Sequence, residues 1–381
     1  MAGWDPLQVV AAGVIVALQW DLLGELGRRA GWLEAQRTRL HWKTFQVVAS
    51  VFVPLSLALE LAANAELLPA FDWIDWAWAG ALIWGMCVAG CWAIAKLLWF
   101  EGNFNPGRRR MLKRAAQLMF AVPPGVAAHG IIQRREFNLR EVDVEIPGLP
   151  ADLDGLRIVQ LSDIHLGAFL EPQTLERAVA AANELRPSLA VVTRDLITLR
   201  ADWLEQCLRL LSSLRAEAGV FGCFGNHEQA ARCERFAQEL GARWGLTFLR
   251  QQSQRLRFGR AVLNIVGVDH QRKSFPYLVG VEELVDSSAV NLLLSHNPDV
   301  FPVAAAKGFQ LTLSGHTHGG QITLGVFQQQ LNPGRLYTPY VYGLYRMGRA
   351  AMYVTSGLGT VVVPVRLGAP AEVAVIRLCA T

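Results

Sequence analysis

Charge is what this sequence has least of. Only 18% of its 381 residues are Asp, Glu, Lys or Arg, against 52% hydrophobic, and the shortage is concentrated before about residue 132. The charges present nearly cancel: 36 basic and 32 acidic residues leave a net +4, too small an excess to argue for nucleic acid. The C-terminal part also lacks a basic stripe with interleaved aromatics, so no nucleic-acid partner is expected. Cysteine pairing is missing too. Cys87, Cys91, Cys207, Cys223, Cys233 and Cys379 form no CxxC motif, and two of them lie in an apolar run, which argues against a disulfide framework or a zinc knuckle.

The uncharged stretches are long. A helix crossing the hydrocarbon core of a membrane needs about 20 mostly apolar residues. Trp73 to Phe100 meets this with tryptophans at both ends, Phe45 to Leu68 is a second span, and Pro6 to Leu26 is a third whose end carries Asp21 and Glu25. The turn between the Phe45–Leu68 and Trp73–Phe100 spans carries Glu66, Asp72 and Asp75 with no Lys or Arg. Arg28, Arg29, Arg37, Arg39 and Lys43 separate the first two spans, and Arg108, Arg109, Arg110, Lys113 and Arg114 follow the last. The positive-inside rule places both basic loops in the cytoplasm. A fourth segment, AAQLMFAVPPGVAAHGII, can cross, lie in the interface or re-enter; crossing is favoured, which puts the rest of the chain on the outer face. Before it, RRRMLKRAAQLMF looks like a twin-arginine export signal displaced past residue 100.

From about Val142 the composition is that of an ordinary α/β domain. LRIVQLSD, SLAVVTRD and GVFGCFGNHE read as strands, the last running into a loop, with QTLERAVAAANEL and DWLEQCLRLLSSLRA as helices between them. This alternation predicts parallel strands, and open α/β sheets bind ligands at the strands' C-terminal ends. The polar residues fall there: Asp163 and His165, then Asp195, then Asn226, His227 and Glu228, and later His296, His316 and His318. Singly each is an ordinary strand end. In order they supply the shared carboxylate and the nitrogen and oxygen donors that two metal ions about 3.5–4 Å apart require.

SDIHLG, the aspartate closing the second strand, GNHE, SHNPD and SGHTHGGQ together resemble the calcineurin-like metallophosphoesterases, most closely a membrane-attached bacterial branch. The resemblance covers roughly Leu156 to Leu378. It implies an α/β (α+β) sandwich of two mixed sheets flanked by helices, preceded here by an all-helical membrane region. The expected divisions are 1–132 for the membrane spans, 133–150 for a linker and 151–381 for the metallophosphoesterase domain. It further implies one metal on Asp163, His165 and His318, a second on Asn226, His296 and His316, and Asp195 bridging them. His227 matches the family's non-ligand histidine, which contacts phosphate and protonates the leaving oxygen. The chemistry agrees, because two cations neutralise the anionic oxygens of a phosphodiester and activate a bound water as hydroxide near neutral pH. Oxygen and imidazole donors without thiolate suit manganese first, iron or zinc next.

The second motif departs from the family's G-D-x-x-D, reading Arg194-Asp195-Leu196-Ile197-Thr198. A side chain where a glycine with positive φ is usual costs on the order of 1 kcal/mol and threatens to displace Asp195, whereas a guanidinium there could also grip phosphate. Glu228, Asp269 and His270 join Arg194 as candidate substrate contacts. The expected function is a membrane-anchored phosphohydrolase of the bacterial inner membrane, acting on a phosphodiester or pyrophosphate, with a lipid-linked envelope precursor as the favoured class; similar membrane-attached members include lipid A pathway pyrophosphatases. The alternative is a catalytically weakened metal-binding membrane protein that senses or scaffolds, and a soluble-substrate nuclease or protein phosphatase is disfavoured by the spans.

Overall fold

The structure is a computed structural model describing residues 6–29, 36–65, 67–69, 71–98, 120–198, 203–271, 276–326 and 329–381. The twin-arginine-like stretch therefore lies almost wholly outside the described residues. The chain divides into two compact units, Met1–Ile131 and Ile132–Thr381.

The first unit is helical: α1 (Pro6–Arg29), α2 (Gln36–Asn64), α3 (Asp72–Leu98) and α4 (Val122–Gln133). Among the described residues α1, α2 and α3 are long and apolar enough to cross a membrane. Ala12 and Ile15 of α1, Val53 and Leu57 of α2, and Trp78 and Ala81 of α3 form a common buried cluster. Gln19 is fully buried among them; its amide donates to Ser50 Oγ at 3.0 Å and accepts from Trp84 Nε1 at 2.6 Å, so one side chain ties all three helices. In hydrocarbon such a group has no water to turn to, and a partner on each neighbouring helix is what permits it. Asp21 is likewise satisfied by Lys96 at 2.8 Å and Trp92 at 2.6 Å, which lets α1 run on through it. The basic residues expected in a loop instead extend the helices, with Arg28 and Arg29 ending α1 and Arg37, Arg39 and Lys43 in the first turns of α2. Arg and Lys are good helix formers. The fourth segment shows as a helix of 12 residues, about 18 Å at 1.5 Å per residue.

The second unit stacks two six-stranded mixed sheets. One runs β1 (Phe137–Ile146), β14 (Ala371–Ala380), β2 (Arg157–Leu161), β3 (Leu189–Val192), β4 (Val220–Gly222), β5 (Leu246–Phe248). The other runs β12 (Gly343–Met347), β13 (Ala350–Val354), β9 (Leu311–Ser314), β8 (Val290–Leu294), β7 (Ala261–Gly267), β6 (Gln252–Phe258). A short hairpin, β10 (Leu324–Val326) and β11 (Gln329–Leu331), stands apart. Successive strand side chains alternate between faces. Ile158, Leu189 and Val191 accordingly meet Leu263, Ile265, Leu292, Leu294, Leu311 and Leu313 between the sheets. Val159, Leu161, Ala190 and Val192 face the other way, onto α5 (Pro172–Glu184), α6 (Leu204–Leu211) and α8 (Glu234–Arg243). Val266 and Leu293 of the second sheet are covered by α9 (Phe301–Ala306) and its flanks. β2, β3, β7, β8 and β9 are buried on both faces, as parallel strands between layers must be.

Two expectations change. Residues 133–150 are not a linker throughout, because β1 pairs in parallel with β14 over its whole length, from Phe137 opposite Ala371 to Ile146 opposite Ala380. GNHE does not remain a loop either: Asn226 opens the short helix α7 (Asn226–Ala231), whose start is closed by Glu228 accepting from the Gly225 amide at 3.2 Å.

Candidate metal centre

β2, β3 and β4 run parallel to one another, as do β7, β8 and β9, so in each sheet the strand ends gather at one edge. Asp163 and His165 follow β2, Asp195 follows β3, Asn226 and His227 follow β4, His296 follows β8, and His316 and His318 follow β9. The structure brings the aspartates and histidines among them together. Donor atoms of Asp163, His165 and His318 lie within 4.8 Å of one another, as do those of His165, Asp195 and His227, and those of Asp195, His296 and His316. Asp195 belongs to two groups. Its Oδ2 is 3.1 Å from His296 Nε2 and 3.8 Å from both His165 Nε2 and His227 Nε2.

Backbone carbonyls aim the imidazoles. Nδ1 of His296 faces the Thr193 carbonyl at 2.9 Å, Nδ1 of His318 faces that of Gly359 at 3.3 Å, and Nδ1 of His227 faces that of Thr198. A carbonyl accepts only from N–H, so Nδ1 carries the hydrogen and Nε2 is turned into the cluster. Asp163 is held by Ser162 Oγ at 2.7 Å and by the His316 amide at 2.9 Å. The glycines preceding these elements are required by space: a Cβ on Gly225 would collide with Asp195 Oδ1, and one on Gly315 with Asp163 Oδ2. Asp163, His165, Arg194, His316 and His318 all adopt positive φ, between 47° and 75°. Residues held there without glycine's freedom cluster at functional sites.

Burial keeps His165 and His318 well below the usual imidazole range, so both stay neutral. It pushes the Asp163 carboxyl up to about 6. Burial works in the same direction on Asp195, but the facing His296 and His227 override it and hold that carboxyl well below its usual range. Conversely, burial would lower His296, and Asp195 raises it to about 9. The site thus contains a buried ionised carboxylate facing the His296 imidazole, whose proton a cation would replace.

A divalent ion fits these residues. Among the described residues both ring nitrogens of His165 and Oδ1 of Asn226 are buried with no hydrogen-bond partner, donors that a bound ion would satisfy. Carboxylate, amide and imidazole donors suit a hard or borderline cation.

A sequence model of the calcineurin-like phosphoesterase family matches residues 156–320. The Bacillus subtilis (strain 168) metallophosphoesterase YkuE is 31% identical over 238 residues, which is 61% of this chain and 82% of that protein. The chain belongs to the calcineurin-like phosphoesterase family. A Campylobacter jejuni metallophosphoesterase is 32% identical over 63% of each chain, so this chain spans somewhat under two thirds of that relative. A Danio rerio transmembrane protein with metallophosphoesterase domain is 29% identical over 68% of this chain and 62% of its own length.

The calcineurin-like fold here places the candidate substrate contacts differently from expectation. Arg194 and Glu228 are fully buried and cannot meet substrate. The Arg194 guanidinium lies over Phe224 at 3.5 Å and Phe248 at 4.3 Å, and Nη1 is 3.4 Å from Glu228 Oε2. Asp269 is committed to Arg250, accepting from Nε at 3.1 Å and Nη2 at 2.8 Å. His270 does reach the site. Its ring is 5.7 Å from that of His316, and both line a cavity of about 200 Å³ with Gln271, Asn297, Asp299 and Thr338. Sequence reasoning missed the supporting carbonyls of Thr193 and Gly359, for which side-chain identity carries no signal. It also missed Arg366, fully buried and donating to the carbonyls of Ala369, Ser356, Gly357 and Gly359. A lone charge in the run VVVPVRLGAP was the available clue.

Proposed function

We propose that this chain is a membrane-anchored, metal-dependent phosphohydrolase that cleaves a phosphodiester or pyrophosphate bond. The observation carrying this reading is the convergence of Asp163, His165, Asp195, His227, His296, His316 and His318 at one edge, with His165 and Asn226 left as buried, unpartnered donors. In this reading Asp163, His165 and His318 hold one ion, Asn226, His296 and His316 a second, and Asp195 both. Two divalent ions bound there neutralise phosphoryl oxygens and activate water.

The remaining chemistry falls to the chain's own side chains. His227 is partly exposed beside Asp195, at 17%. With Nδ1 turned to the Thr198 carbonyl, its Nε2 is free to carry a proton to the leaving oxygen. His270 and the cavity beside His316 receive the group attached to the phosphate. Thr198, standing where the family has a carboxylate, orients His227 through its backbone. Asp195 keeps its place beside His296 despite Arg194, which favours the enzyme over the weakened, scaffolding alternative. Manganese is the first choice of ion, and the three long apolar helices favour a lipid-linked substrate. Outer-face placement needs a fourth crossing, which a reporter fused at the C-terminus tests.

The activity is tested with the full-length chain in detergent, supplied with manganese and a chromogenic phosphodiester. The natural protein is expected to hydrolyse it and His318→Ala to lose that activity. Equal rates in the two proteins would refute the reading.

A further inference from the structure

The side chain of Arg194 is a cation taken wholly out of water. Among the described residues Nε, Nη1 and Nη2 have no hydrogen-bond partner, and the charge is met only by Glu228 at 3.4 Å and by the rings of Phe224 and Phe248. Burying a guanidinium with so little hydrogen bonding is unfavourable, and aromatic faces offset part of it.

Phe224 and Glu228 flank Gly225, Asn226 and His227, whereas Phe248 ends β5. Arg194 itself belongs to the turn after β3, so its side chain joins the ends of three adjacent strands. Glu228 completes the connection from the opposite side. Its Oε1 accepts from the Leu196 amide at 2.7 Å and its Oε2 from the Gly225 amide at 3.2 Å, one group on each side of the gap. Asp195 lies between Arg194 and Leu196, and its Oδ1 in turn accepts from the His227 amide at 3.2 Å.

We infer that Arg194 and Glu228 form a buried bracket that fixes the Asp195 turn against the Asn226–His227 turn, making Arg194 a positioning residue for the metal centre. Two donors assigned above to the ions, Asp195 and Asn226, sit on the two turns it joins. The charge next to Asp195 therefore belongs to the scaffold beneath the site, and its substitution for glycine adds a tie that glycine cannot make. The inference rests on the metal-centre reading.

Manganese titrated calorimetrically into metal-free, full-length protein in detergent tests it, with thermal melting in EDTA run on each variant. Arg194→Met keeps the bulk and loses the charge, Arg194→Lys keeps the charge, and Glu228→Gln keeps the shape of the acceptor. Loss of a group supporting ligands costs roughly 10–100-fold in metal affinity. Arg194→Met and Glu228→Gln are expected to weaken manganese binding by about tenfold or more on that scale, Arg194→Lys by less than Arg194→Met, and the Arg194→Met/Glu228→Gln double variant no further than the worse single one. Full affinity in Arg194→Met, or equal losses in Arg194→Met and Arg194→Lys, overturns the bracket, because the side chain would then only fill space. A variant that melts at the natural temperature in EDTA yet binds manganese weakly supports it most directly. A natural protein that takes up no manganese overturns the metal reading and this inference together.

Discussion

Asp195 accepts a hydrogen bond from the His227 amide, faces the imidazoles of His165, His227 and His296, and follows a residue held at positive φ, so its position is fixed from several sides. The five non-glycine residues with positive φ around it cost about 1–3 kcal/mol each, a strain that the surrounding strands and turns must absorb. The closeness is such that Gly225 has no room for a methyl group. Gly225→Ala should drive Asp195 from its place and weaken manganese binding at least as far as the roughly 10–100-fold loss of a supporting contact, measured by titration. Unchanged affinity would mean that the Asp195 turn is looser than described. The donors at this scale were readable because histidine, aspartate and asparagine, each ordinary alone at a strand end, recur here in order after successive apolar strands. Glu228 and Asp269 misled for a physical reason: a carboxylate's partner decides whether it faces substrate, and the distant partners, the Leu196 amide and Arg250, are brought near only by the fold.

Strands place these side chains, and the strands are held by the layer between the sheets. Leu292 of β8 is fully buried there, four residues before His296. Leu292→Ala should destabilise the unit by about 2–5 kcal/mol, read from urea unfolding in detergent. A loss under 1 kcal/mol would place the core elsewhere. Short apolar runs bounded by turns made β2, β3 and β4 legible, and amphipathic stripes the helices between them, since both are local properties. β1 was not legible. Its sequence, FNLREVDVEI, is mostly exposed and charged, and it becomes a strand only through parallel pairing with β14, more than 200 residues away. Parallel partners at such separation leave no local mark.

At the scale of the whole chain, the scarcity of charge before residue 132 announces three long apolar helices, and the ordered polar strand ends after it announce a metal site. The membrane spans were legible in length and composition, but not in how they are tied, because a buried Gln19 among apolar neighbours looks like a defect until Ser50 and Trp84 are seen on either side of it. Arg194 is the same lesson in the second unit, an apparent flaw that the fold surrounds with two aromatic rings and a carboxylate. The central claim is that one edge of the double sheet holds two ions through a shared aspartate. Counting metal per chain tests it most directly, by loading the full-length protein and an Asp195→Ala variant with manganese, removing the excess and measuring bound ions by elemental analysis. The account predicts two ions per chain in the natural protein and fewer than two in Asp195→Ala; no bound manganese in the natural protein, or equal occupancy in both, would contradict it.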